Sequence, residues 1–415
     1  MSAGKPFYGW FLVAITCVCY GLGLAPGYFS WGLFSKEIIA DLGIDRGELG
    51  GVFGLFTFMY SSMGLAAGIL QQYFRIRWVM TVGFLISSGG FLLLSRADSA
   101  LDCYLAFGIL AGGGIGLATI IPCQTLAQNW FFKWRAVTMA LILAAGGVSQ
   151  SLVPQMDKYI LAHADWRVGW LVIAGLSAFC AVLASILIRD TPEQLGQFRD
   201  GAAEDPIKAM SGAAGASVVS EWGPWQAIRT RQFILVVFCG FAYAVPWGVI
   251  AAHGRLHLDS LGHTATVVAA LMSALGIFSI GGRLSGAAGD FVRPKTVLAA
   301  SLLIETLGVA GLLVARADLF AYGCIGLIGL GFGAAYVSIP VVFTDFFGRR
   351  AFGATSGLRM FLTGILNGLG PWIAGEIHDQ TGSYTLAFYG LAVLGLTGFI
   401  AALVCTHPGA PPAET

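Results

Sequence analysis

Charged side chains are scarce in this chain: Asp, Glu, Lys and Arg make up only 11% of its 415 residues, where soluble domains carry about 25%. With 57% hydrophobic residues and a mean hydropathy of +0.78, the composition suits a bilayer rather than water. The net charge is only +1, which removes any electrostatic reason to expect nucleic acid as a partner. Cys17, Cys19, Cys103, Cys123, Cys180, Cys239, Cys324 and Cys405 sit mostly in apolar runs and form no C-x-x-C pair, so no metal site is expected and they read as small core residues. There is no G-x-x-x-x-G-K-[ST] segment to cradle ATP, and no H-E-x-x-H or G-x-S-x-G set, so neither a cofactor nor catalysis is expected.

What the chain does hold is a series of apolar runs, each about the 20 residues that a helix needs to cross a bilayer. They fall near 8–34, 48–72, 77–95, 101–128, 136–161 and 166–188, then near 232–256, 264–288, 295–315, 319–343, 352–376 and 384–405. The opening stretch MSAGKPFYGW runs straight into the first of them without an A-x-A cleavage site, so that run is expected to stay as a span. The expected fold is an all-α membrane protein of twelve transmembrane helices in two six-helix, pseudo-symmetric halves, 1–189 and 232–415, joined by a polar cytoplasmic linker, 190–231. Loops on the linker side carry Lys5, Arg75, Arg77, Lys133, Arg135, Arg189 and further basic residues, more than the opposite loops with Lys36, Arg46, Arg96, Lys158, Arg167, Arg255 and Arg316. That bias places both termini in the cytoplasm, in the plasma membrane or a bacterial inner membrane.

The halves repeat each other. GILQQYFRIR from Gly68 matches GAAGDFVRPK from Gly286 at an offset of 218, and GIGLATIIP from Gly114 echoes GFGAAYVSIP from Gly331 at an offset of 217. Such a steady offset implies parallel repeats about an axis along the membrane normal. Two arginines have no basic counterpart under it: Arg283 maps to Leu65, and Arg359 falls between Ile142 and Ala144. The scaffold therefore does not require them, although each costs about 2.5 to 3.5 kcal/mol at a helix centre on insertion scales. At 1.5 Å per residue, Arg283 lies about 10 Å, and Arg359 and Tyr336 about 13 Å, from the linker-side helix ends. Two cations and a phenol at one depth suit an anion bearing carboxylates, since the planar guanidinium fork matches carboxylate oxygens. The competing assignment is structural, with Arg283 pairing to Asp290 or Glu305, or capping backbone carbonyls.

Over nearly its full length the chain resembles the major facilitator superfamily. GAAGDFVRPK looks like that superfamily's G-x-x-x-D-x-x-G-R-K signature, and the resemblance implies a conformational latch at Gly286, Asp290 and Arg293. The first-half copy has Gln72 where the acid belongs. FYGWFLVAI, YFSWGLF, GGRLSGAAGD, AAYVSIPVVFTDFFG and GPWIAGEIHDQTGSYTLAFY are similar to the oxalate:formate antiporter and monocarboxylate transporter branch. In the oxalate:formate branch an arginine on the eighth helix and a lysine on the eleventh hold substrate carboxylates beneath aromatic residues. Arg283 matches the first, Arg359 stands in place of the second, and Tyr336 and Phe332 match the aromatic positions on the tenth. Gly146 and Gly147 stand where that branch leads one to expect an aromatic residue, and the first span has no lysine.

The function expected is secondary transport of a small organic carboxylate by alternating access, as a monomer in the bilayer. Anion exchange is favoured over proton symport because the spans hold few carboxylates that could carry a proton. A membrane ligand sensor that transports nothing is the reading from another class. Gln150 and Asn367, related by the repeat, are expected either to face each other across the axis or to tie helices together. Tyr20, Phe29, Tyr60 and Thr119 are further cavity candidates, against the alternative of plain packing. His253, Glu305 and Asp157 are the proton-coupling candidates, with His253 near the outer surface weighed against a plain solvated mouth residue.

Overall fold

A computed structural model describes residues 6–71, 73–202, 222, 224–286, 293–347 and 352–409, and its described residues form helices with no strand. Twelve long helices follow in chain order. α1 is Tyr8–Leu33, α2 Arg46–Leu70, α3 Ile76–Leu94, α4 Ala100–Trp130, α5 Arg135–His163 and α6 Trp166–Leu187. α7 is Arg231–Ser260, α8 Ala265–Gly286, α9 Pro294–Leu312, α10 Asp318–Phe347, α11 Phe352–Thr381 and α12 Thr385–Val404. Eleven of them are long and apolar enough to cross a membrane. The other, α11, carries Arg359, Asn367, Glu376, His378 and Asp379 and lies along α2. An additional short helix, Ser35–Leu42, caps the bundle between α1 and α2.

Helix starts follow local chemistry. Asp45 accepts from Glu48 N at 2.6 Å while Glu48 reaches back to Asp45 N at 3.2 Å, a reciprocal box that begins α2. Asp165 and Thr230 cap α6 and α7 through single side-chain bonds of 2.9 and 3.1 Å. α4 is not uniform. A π-helical stretch spans Tyr104–Ala111, and the backbone breaks at Thr119 (φ −107°, ψ −91°), three residues before Pro122, whose ring nitrogen has no hydrogen to continue the ladder.

The packing pairs repeat across the halves. α1 packs on α5 as α7 does on α11, α2 on α4 as α8 on α10, and α3 on α6 as α9 on α12. The two sets meet along α2 with α11, α5 with α8, and α1 with α7. The first seam is backbone on backbone. A Cβ at Gly54 would overlap the Gly368 carbonyl oxygen, and one at Gly368 would come within 2.7 Å of the Gly54 oxygen. Nearer the linker end the seam loosens, where Gly64 has Met360 Cε at 3.7 Å as its nearest neighbour.

Candidate substrate site

Helix direction sets the depth of each side chain. α8 and α10 run toward the end of the bundle that carries the linker, and α5, α7 and α11 run away from it. Arg283, Tyr336 and Arg359 therefore arrive at one level from three helices. Arg283 leans across the α5–α8 seam, and its Nη1 donates to the Leu143 carbonyl oxygen of the other half at 3.0 Å. Its guanidinium carbon sits 5.7 Å from the Tyr336 ring centre, a cation–π distance. Its Nε is buried and has no hydrogen-bond partner among the described residues. Gly147 makes the approach feasible, because a Cβ there would stand 2.7 Å from Arg283 Nη1. Gly146 does the same for Tyr20, whose Cε1 would lie 2.7 Å from an added Cβ. The glycine pair that departs from the family pattern is thus the space that the arginine and the phenol occupy.

Around Arg283 the phenols gather. Tyr20 lies beside Tyr336, and Tyr60 beside Thr119. Arg359, only 9% exposed, lies against α7, with its Nη1 4.0 Å from a Cβ built at Gly240, one turn before Tyr243. Among the described residues the Arg359 Nε has no hydrogen-bond partner, and no ion pair involves either Arg283 or Arg359. On the side away from the linker an aromatic block closes the site. Trp247 and Phe332 stack at 3.6 Å with a 10° tilt, Phe29 meets Trp247 edge-on at 5.8 Å, and Phe332 stacks on Tyr336 at 5.8 Å. Arg283, Arg359, Tyr336, Phe332, Tyr20, Tyr60, Thr119 and Phe29 are therefore one neighbourhood. Tyr243 and Trp247 belong to it and are absent from the expectations. Their signal is an aromatic pair four residues apart beside Pro246, in FAYAVPWGV.

Other expectations separate. Gln150 and Asn367 share no hydrogen bond, since Gln150 Nε2 and Asn367 Oδ1 are both without a partner among the described residues. Gln150 lines a small cavity, with room for about one water, together with Phe29, Gly32, Pro154 and Arg255. Asn367 instead lies beside Tyr28 and against Gly248. Glu305 does not pair with Arg283 in a salt bridge. It is buried on α9 at 2% exposure, and neither carboxylate oxygen has a partner among the described residues. Asp157 is buried in the same partnerless way, toward the far end beside Ser30. Of the latch residues, Asp290 lies outside the described residues, Gly286 ends α8, and Arg293 is exposed before α9.

His253 departs most from its expected place. It is fully buried, with Nε2 2.8 Å from the Pro371 carbonyl oxygen and Nδ1 3.1 Å from the Tyr384 hydroxyl. Counting residues along α7 puts it at the bilayer surface, but the turn between α11 and α12 folds over that end and covers it. The same hydroxyl accepts from Arg46 Nη1 at 3.4 Å, and Arg46 also reaches His378 Nε2 at 3.1 Å. Gly47 N donates to Asp379 Oδ2 at 2.7 Å, and Arg255 bridges to the Leu33 carbonyl and to both Glu37 oxygens. Among the described residues, bonds between the halves thus concentrate at and beyond the level of Arg283, toward the end away from the linker.

Among the described residues, twelve long helices thus pack as two matching sets with arginines in no ion pair near their junction. The chain belongs to the Major Facilitator Superfamily, whose family model matches residues 11–289 and 284–415. It is a multi-pass membrane transporter of a small-molecule substrate, not an enzyme, and its resemblance to the monocarboxylate transporter branch holds. It is 26% identical over 394 residues to monocarboxylate transporter 13 of Bos taurus, covering 93% of this chain and 87% of that protein. It is 23% identical over 412 residues to the MFS-type transporter YcxA of Bacillus subtilis, covering 95% and 96%. Among solved structures it is similar to a bacterial homolog of the human lysosomal transporter Spinster in an inward-facing, unoccupied conformation. That match has a TM-score of 0.69 at 14% identity, covering 97% of this chain and 96% of that one, and bears on the fold alone.

Proposed function

We propose that this protein is a secondary transporter of small organic carboxylates, with Arg283 and Arg359 each taking a carboxylate group and anion exchange as the transport mode. The observation that carries the reading is the Arg283 guanidinium. It is half-buried between the halves, its single described hydrogen bond goes to a backbone carbonyl of the opposite half, and no carboxylate of the chain neutralises it among the described residues. A substrate carboxylate offers that cation a better partner than a neutral carbonyl does. Binding would then exchange a bond between the halves for one to the ligand, which is how occupancy can bias a rocking equilibrium. The names of the monocarboxylate transporter relatives support the substrate class.

Exchange follows from charge. With two uncompensated guanidinium groups, an empty site resists passage through a dry intermediate, and a bound anion removes that resistance. The halves 1–189 and 232–415 act as the rocking units, with a single chain sufficient, both termini in the cytoplasm, and a plasma or bacterial inner membrane as the setting. The clasp of Arg46, His378 and Tyr384 at the far end supports a form open toward the linker side. The test is counterflow in proteoliposomes with formate, lactate, pyruvate, oxalate, malonate and succinate. At least one carboxylate should exchange, and Arg283→Ala should abolish that exchange in a protein that still folds. Full exchange by Arg283→Ala would end the reading.

A further inference from the structure

α9 holds a carboxylic acid that the site as described does not use. Glu305 is 2% exposed, and both of its oxygens lack a partner among the described residues. The repeat shows that the fold does not need it. Gly331 of α10 packs against the backbone of Glu305 as Gly114 of α4 packs against the backbone of Ser87, so Ser87 is the matching residue of the other half. Ser87 satisfies itself, its hydroxyl donating to the Phe84 carbonyl at 3.0 Å. A half can thus be built with a self-satisfied serine where α9 keeps an unpaired acid, and an unpaired ionised group is expensive to bury.

The surroundings of Glu305 point one way. α10 brings Gly331 against it, with Cys324 further along beside Gly308 and Gly311. α12 brings Gly395 against Thr306 and Gly398 near Leu302. α7 brings Tyr243, whose ring centre lies 5.5 Å from that of Phe332, the residue after Gly331, and, one turn earlier, Gly240, where a Cβ would stand 4.0 Å from Arg359 Nη1. On α9 itself, Lys295 is occupied by the Leu403 and Cys405 carbonyls at the helix start. No ion pair among the described residues involves Glu305, and the site cation on this face of α7 is Arg359.

We propose that Glu305 sets the charge of the anion the site accepts. Protonated, it leaves two guanidinium charges and fits a dicarboxylate dianion. Ionised, it offsets one of them and fits a monocarboxylate. The two loaded forms then carry the same net charge, so both can pass through the dry intermediate. When a dicarboxylate exchanges for a monocarboxylate, one proton travels with the dianion. It is taken up by Glu305 from water on the side where the dianion binds and released on the other side. Charge balances: two negative charges and one proton move against one negative charge.

This inference rests on the carboxylate reading, and the experiment separates the two. Oxalate and pyruvate are used because both stay fully ionised from about pH 6 to 8. In wild-type proteoliposomes, external oxalate exchanging for internal pyruvate should acidify the lumen by about one proton per cycle and be insensitive to membrane potential. The preference for oxalate over pyruvate should fall at least about tenfold from pH 6 to 8. Glu305→Gln should move no proton, respond to potential and keep its oxalate preference at every pH. Glu305→Ser, copied from Ser87, should do the same. If neither anion is carried by the wild type, the carboxylate reading fails and this one with it. If both are carried without proton movement and with a preference that ignores pH, only the role of Glu305 fails. Should both variants misfold, the wild-type proton count decides alone.

Discussion

Gly147→Ala is the sharpest probe of the site, because it touches Arg283 without altering a charge. The added Cβ would stand 2.7 Å from Arg283 Nη1 and 2.6 Å from Ile280 Cγ1. An ordinary carbon–nitrogen contact of about 3.4 to 4 Å requires the guanidinium to retreat by about 0.7 to 1.3 Å. A 3.0 Å bond to the Leu143 oxygen does not survive that movement, nor does a bidentate fork aimed at a ligand from the same atom. A hydrogen bond to a charged group contributes about 1.5 to 3 kcal/mol, so carboxylate affinity should fall about 10- to 150-fold at 1.4 kcal/mol per decade. Overpacking of this size destabilises a protein by about 1 to 3 kcal/mol, within what a folded variant tolerates. Gly89→Ala, at a glycine with nothing within 4 Å, is the control and should bind as the wild type does. The assay is the half-saturation concentration in counterflow, with detergent gel filtration to confirm folding. Unchanged affinity in Gly147→Ala, beside a strong loss in Arg283→Ala, would refute the placement of the guanidinium at this seam.

Three further outcomes are expected. Arg359→Gln should weaken dicarboxylates by about 2 to 5 kcal/mol, as when one partner of a buried charge pair is removed, and monocarboxylates far less; equal losses in a competition assay would assign Arg359 to packing. Tyr384→Phe removes the hydroxyl shared by His253 and Arg46, so backbone hydrogen exchange at 46–54 and 371–379 should speed up, and unchanged protection would mean that the clasp does not hold the halves. The Arg167 guanidinium, with the Trp166 indole, holds the Asp41 carboxyl below its ordinary value, so its stabilisation is present above about pH 4 and fades as pH falls through the lowered value. Asp41→Asn should therefore be less stable at pH 7, by under about 1 kcal/mol at so exposed a pair, with the gap closing toward pH 3. A gap that widens in acid would reverse the sign.

The spans, the repeat and the central arginines were legible because each is a contrast within one sequence: polar against apolar, one half against its copy. Arg283 stood out since Leu65 fills its place in the other half, and no structure was needed to see that the scaffold can do without it. Tyr243 was missed for the opposite reason, as one aromatic among many in an apolar helix, marked only by the Arg359 that folding brings to it. His253 was misplaced because residue counting gives height along a helix but not what covers its end. Gln150 and Asn367 show the limit of symmetry as a guide. Equivalent positions share a level, but one faces a cavity and the other lies beside Tyr28 and Gly248.

The two seams related by the repeat, α2 with α11 and α5 with α8, have been furnished differently. At the middle of the first, glycine backbones touch at Gly54 and Gly368 with no side chain between them, so a solute has nothing to grip at that point. Along the second, a charged arm reaches over to a carbonyl of its neighbour. A duplicated ancestor with identical seams would have had no preferred place to sense its cargo. Divergence at a few positions gave the molecule a handedness in function that its architecture lacks: one joint is a smooth bearing, and the other is the lock that a key can turn.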